Sequence, residues 1–179
     1  MTLRLNGHGD IFMQSLCMRY RLYGGMDKLN SLDFEGNKLG ARGMLDLSKT
    51  IRQKFLQNLS SLKLDDNLLD DMDLITLCRS MQGGVWQALG ALSLENNKIG
   101  DKGMQALAKL LVNRDNLPQL DRLSLRGNPA AKFRVDEVFR QLKLRGRGLK
   151  QSDAVNDTQS KDKASMRKAS RVWEPSGAE

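Results

Sequence analysis

The chain has 179 residues and a formal net charge of +8, which suits one elongated domain with a tail better than several domains. Its residues are 40% hydrophobic but only 5% aromatic, and no run approaches the roughly 18–20 unbroken apolar residues of a membrane span. The opening Met1-Thr-Leu-Arg-Leu5 lacks the apolar core of a secretory signal.

In chain order, residues 1–28 read as a degenerate first repeat. Leu3-Arg-Leu5 aligns with Leu32-Asp-Phe34, and His8 stands where later units place an asparagine. This edge has no polar capping element, which repeat arrays ordinarily need for solubility. Two readings stay open: the chain is a piece of a longer product, or a partner makes an edge contact at the first strand.

Residues 29–128 carry the clear pattern. Leu29-x-x-Leu32-x-Phe34-x-x-Asn37 returns as Leu59-x-x-Leu62-x-Leu64-x-x-Asn67. It returns again as Leu89-x-x-Leu92-x-Leu94-x-x-Asn97 and as Leu120-x-x-Leu123-x-Leu125-x-x-Asn128, so the asparagines step by 30, 30 and 31 residues. A period of this size marks a stacked-repeat architecture. Each Leu-x-Leu predicts a short strand, with Leu62 and Leu64 inward and Ser61, Lys63 and Asp65 outward. The apolar residues after each asparagine predict a helix: Met104, Leu107, Ala108 and Leu111 fall at i, i+3, i+4 and i+7. Met44, Leu47 and Ile51 occupy the same columns one unit earlier, as do Leu74, Leu77 and Met81. The asparagines leave the strand at a turn, where an amide serves backbone donors and acceptors at once. Gly40, Gly43, Gly100 and Gly103 flank two helix starts, whereas the unit between them has Asp70 and Asp73. Trp86 stands three residues before Leu89, in an inward column shared with Met26, Leu56 and Leu117, so it belongs to the core.

Residues 129–145 predict a C-terminal capping helix. Asn128-Pro129 ends the strand pattern, and Val135, Val138, Phe139 and Leu142 follow with helical spacing. Residues 146–179 read as a basic flexible tail, too poor in apolar residues to offset the entropy of ordering. Nine basic residues against three acidic ones lie between 143 and 172. Apart from Trp173, the tail lacks aromatics for base stacking, which weakens a nucleic-acid reading.

The four units resemble the ribonuclease-inhibitor-like subfamily of leucine-rich repeats. That resemblance implies an α/β leucine-rich-repeat solenoid, with short parallel strands on the concave face and helices on the convex face. It also implies a non-catalytic protein-binding surface, with no cofactor. Such repeats occur in innate-immune receptors, Ran-type GTPase activators and tropomodulins alike, so the likeness speaks to fold more than to partner.

The outward strand positions supply the candidate partner-binding residues: Asp33, Glu35, Lys63, Asp65, Ser93, Glu95, Ser124 and Arg126. With strands about 4.8 Å apart, Glu35, Asp65 and Glu95 form a carboxylate ladder whose repulsion a cationic partner would relieve. The expected ligand is a protein with a basic face. A solvated polar face that screens its own charge is the plain alternative. On the docking reading, charge reversal at all three positions leaves the fold intact. The runner-up function is a peripheral subunit of a large, RNA-containing assembly held by the basic tail. His8 is the only histidine and has no nucleophile or ligand set around it, so catalysis finds no support. Asp65-Asp66 with Asp70-Asp71 matches no calcium loop, so no metal is expected. Cys17 and Cys78, in separate helix-like runs, read as buried thiols of a reducing, cytoplasmic compartment.

Overall fold

A computed structural model of the chain describes residues 2–4, 9–23 and 28–146. His8, Met26 and the basic tail from 147 onward lie outside the described residues. The elements alternate strictly: β1 (Thr2–Arg4), α1 (Gly9–Tyr23), β2 (Ser31–Asp33), α2 (Ala41–Arg52), β3 (Ser61–Lys63), α3 (Asp71–Ser80), β4 (Ala91–Ser93), α4 (Asp101–Val112), β5 (Arg122–Ser124) and α5 (Lys132–Lys143). The five strands form one parallel sheet in sequence order. Each helix packs only on the helices before and after it. The register advances by one repeat per strand: Leu32 pairs with Leu62, Leu62 with Leu92, and Leu92 with Leu123.

This arrangement follows from what one unit cannot do alone. A three-residue strand and one helix leave an apolar side open, and stacking closes it into a continuous core. Leu62, Leu64, Leu92 and Leu94 are buried, as are Met44, Leu47, Ile51, Leu74, Leu77, Met81, Met104, Leu107, Ala108 and Leu111. Trp86 is buried too, and its indole N–H donates to the Leu56 carbonyl of the preceding unit at 2.6 Å. An aromatic donor inside a leucine core needs such a partner.

The asparagine column joins each unit to the one before it. Asn67 Nδ2 donates to Leu64 O, to Asp65 O and back to Phe34 O, while its Oδ1 accepts from the amides of Asn37 and Leu39. Asn97 donates to Leu94 O, Glu95 O and Leu64 O, and accepts from Leu69. Asn128 repeats the pattern with Leu125 O, Leu94 O and the amide of Ile99. The preceding turn position, occupied by Gly36, Asp66, Asn96 and Gly127, is left-handed throughout, with φ of 69°, 53°, 52° and 73°. Glycine, asparagine and aspartate tolerate that region best. At Gly127 a Cβ would also lie 2.1 Å from Asn96 Oδ1, so a larger residue there would have to displace that amide.

The helix starts are capped by a device the repeat pattern alone does not reveal. Asp10 Oδ1 accepts from Gly40 N and Gly43 N, both at 2.9 Å, across the boundary to the next unit. Asp71 Oδ1 does the same for Gly100 N and Gly103 N, at 2.7 and 2.8 Å. Asp101 takes Ala131 N at 2.8 Å. A Cβ on Gly103 would sit 2.8 Å from Asp71 Oδ1 and 2.8 Å from Ile99 Cγ2, so the cap and the glycine require each other. The unit after Ala41 has no such donor of charge behind it and caps itself. Asp70 Oδ1 accepts from Met72 N and Asp73 N, and Asp73 returns the favour to Asp70 N, which is a capping box. Asp71→Ala is therefore expected to cost about 0.5–2 kcal/mol, the usual loss of a helix cap. Amide exchange should quicken at Gly100 and Gly103 specifically; unchanged protection there would show that the inter-unit cap is idle.

At the far end α5 lays Val135, Val138 and Leu142 on the core, while Phe133 turns outward. Arg145 then reaches back, its guanidinium donating to the carbonyls of Leu111, Asn113, Asn116 and Leu117. Those carbonyls lie where α4 runs out, so the arginine supplies the donors the helix lacks there.

Candidate strand-side interaction surface

The strands deliver the eight candidate residues to one side of the molecule because side chains alternate along each strand. Asp33, Lys63, Ser93 and Ser124 share one cross-strand row. Glu35, Asp65, Glu95 and Arg126 follow two residues later, where the chain leaves each strand.

The expected carboxylate ladder is not bare. Lys63 Nζ binds Glu35 Oε2 directly and stands 3.8 Å from Asp65 Oδ2, so an internal cation lies between the first two rungs. The Glu35 bond is the main reason the Lys63 ammonium holds its proton above the usual lysine range. Asp65 is only 5% exposed. Its Oδ1 accepts from Ser93 Oγ at 2.6 Å and from the Glu95 amide at 2.7 Å. Burial outweighs those bonds and pushes its carboxyl above the usual aspartate range. Asp33 Oδ1 accepts from the Glu35 amide at 3.0 Å.

The ladder thus divides into parts with different work. Asp33, Glu35, Lys63, Asp65 and Ser93 are brought together as one network spanning β2, β3 and β4. Asp65 is its buried support, and reversing its charge would bury an ammonium and orphan two donors. The burial of Asp65 argues against the expectation that all three carboxylates tolerate reversal, whereas Glu35 and Glu95 are half-buried. Ser124 is half-buried on β5 and Arg126 is exposed, at the basic end of the strip. Asp66, next to the ladder in sequence, is exposed in the adjoining turn, where its Oδ1 accepts from Asn96 Nδ2 at 2.9 Å.

Cys17 and Cys78 are both buried thiols outside any disulfide. Burial pushes the Cys78 thiol up to about 12, which leaves almost no thiolate at neutral pH. Cys78 should resist a thiol-modifying reagent in the folded protein and react once denaturant is added. Rapid labelling of the native thiol would contradict its packing. Among the described residues no group of three or more His, Cys, Asp or Glu side chains is arranged to hold a metal ion. No helix among them is long and apolar enough to cross a membrane.

No protein-family model matches the chain, and no curated protein matches it in sequence. Its fold is similar to that of actin-binding site 2 of leiomodin-1, with a TM-score of 0.63 at 13% identity. The match covers 95% of this chain and 88% of that one. At such low identity the likeness is one of architecture, and the chain has a leucine-rich-repeat-like α/β fold.

Proposed function

We propose that this protein is a non-catalytic protein-binding module, a curved leucine-rich-repeat solenoid of the ribonuclease-inhibitor-like kind that takes a basic protein face on its concave strand side. The observation that carries this reading is the network from Glu35 through Lys63 and Asp65 to Ser93. It fixes acidic groups from three successive units on one surface, with Glu35 and Glu95 half-open to solvent. A preorganised strip of this kind favours a partner of opposite charge and speeds its approach. The half-open carboxylates bind, Lys63 spaces them, and buried Asp65 holds the strands in register. The similar leiomodin-1 segment is named for binding actin, so a protein ligand suits this architecture. Two buried thiols agree with a reducing compartment.

The test is copurification from native extract with the parent chain and with Glu35→Lys/Glu95→Lys. Both positions are partly solvent-exposed, and surface ion pairs are worth about 0–1 kcal/mol, so the variant should fold. The partner held by the parent is expected to bind the variant about tenfold or more weakly. Equal recovery of every partner would move the site off the strand side.

A further inference from the structure

We propose that the groove between α3 and α4, on the helix side, is a second binding site and takes an acidic peptide segment of a partner protein. The groove has a volume of about 560 Å³. Arg79 enters it from the last turn of α3, and Lys102 and Lys109 enter from α4. Lys102, Gln105 and Lys109 fall at i, i+3 and i+7, one face of that helix. All three cations are exposed, and no acidic side chain lines the groove with them. None of the three makes an ion pair among the described residues. Two other helix cations are matched locally, Lys49 by Asp46 and Arg140 by Glu137.

Two other helix-side grooves show the contrast. Asp46 lines the one beside α1 and α2, and Glu137 lines the one beside α4 and α5, which Lys109 also borders. Of these three grooves, the one between α3 and α4 collects cations without an acidic side chain in its own lining. Such a cleft focuses field on an incoming anion. Its other lining residues narrow the class of anion. Gln82, Gln105 and Asn113 offer amide donors and acceptors for a peptide backbone, and half-buried Ile75 and Ala106 give an apolar floor for an aliphatic side chain. No aromatic residue lines the groove, so it lacks the stacking platform that single-stranded nucleic acid uses. A peptide alternating acidic and aliphatic residues fits every feature. The site is independent of the strand side: one face would hold a basic partner and the other an acidic one.

The test uses the full chain and fluorescence anisotropy of a short labelled peptide alternating Glu and Leu, with a Gln-for-Glu peptide as control. Arg79→Gln/Lys102→Gln/Lys109→Gln is expected to weaken binding of the acidic peptide by about tenfold or more and leave the control unchanged. Circular dichroism should match the parent, because the three side chains are exposed. A tail variant, Lys161→Gln/Lys163→Gln/Arg167→Gln/Lys168→Gln, should bind like the parent. So should Glu35→Lys/Glu95→Lys, which separates this site from the strand side. The proposal is overturned if the parent does not bind the acidic peptide, if the groove variant binds it as tightly as the parent, or if the tail variant alone abolishes binding. Tighter binding of single-stranded RNA than of the peptide, lost in the same groove variant, would also overturn it.

Discussion

Leu92→Ala should destabilise the protein by about 2–5 kcal/mol, the range for truncating a buried leucine in a packed core. Leu92 is 2% exposed and lies on β4, paired with Leu62 on one side and Leu123 on the other. Its removal leaves a hole shared by three units rather than one. Leu107→Ala on α4 should cost a similar amount, since that side chain is fully buried. Because each unit touches only its neighbours, the damage should spread along the stack as a loss of cooperativity between its two halves. Urea unfolding followed by circular dichroism measures both effects. An unmoved midpoint for either variant would mean that the inward face is wrongly assigned.

Asn97→Ala should rank close behind. The amide donates to Leu64 O, Leu94 O and Glu95 O and accepts from Leu69 N, so one truncation strips partners from two successive turns. Asn97 is 6% exposed, and water cannot readily replace it. Leu64 O and Leu94 O keep the side-chain amides of Asn67 and Asn128, and Glu95 O keeps the amide of Asp66, so the Leu69 N–H is the group left without a partner. A buried backbone group in that state costs about 1–3 kcal/mol, which is the expected loss. Asn97→Asp separates geometry from chemistry: it keeps the acceptor for Leu69 but turns the three donor contacts into repulsions between oxygens. It should be no better than alanine at neutral pH. A denaturation midpoint within error of the parent for Asn97→Ala would show that the turns carry their own hydrogen bonds.

The parts of this molecule that were legible in the sequence are those written in local spacing. Leu62 and Leu64 face inward because they alternate with Ser61 and Lys63. Met104, Leu107, Ala108 and Leu111 line the core because they recur with the period of a helix. Trp86 is core because it shares a column with Leu56 and Leu117, and the asparagines announce their turn by returning in register. The parts that were not legible depend on side chains meeting across units. Alternation places Asp65 outward, yet its short carboxylate folds down onto the Glu95 amide and the Ser93 hydroxyl of the next strand and is buried there. Lys63 reaches sideways to Glu35, a contact set by chain length and rotamer that no spacing encodes. The inter-unit caps are an intermediate case. Gly-x-x-Gly opens a helix only after Asp10 or Asp71, and the unit after Ala41 carries Asp70 and Asp73 instead. That covariation along one chain was readable in principle. It goes unnoticed as long as each unit is compared with the others and not with the unit before it.

The functional claim turns on whether charge on the strand side draws the partner. The most direct measurement is the equilibrium affinity of the copurified partner for the parent chain and for Glu35→Lys/Glu95→Lys over a series of salt concentrations. For the parent, affinity should fall steadily as salt screens the acidic strip over a distance of roughly 10 Å at 0.1 M. For the variant, affinity should start lower and change little with salt. Equal affinities and equal salt slopes for the two proteins would contradict a binding site on the strands.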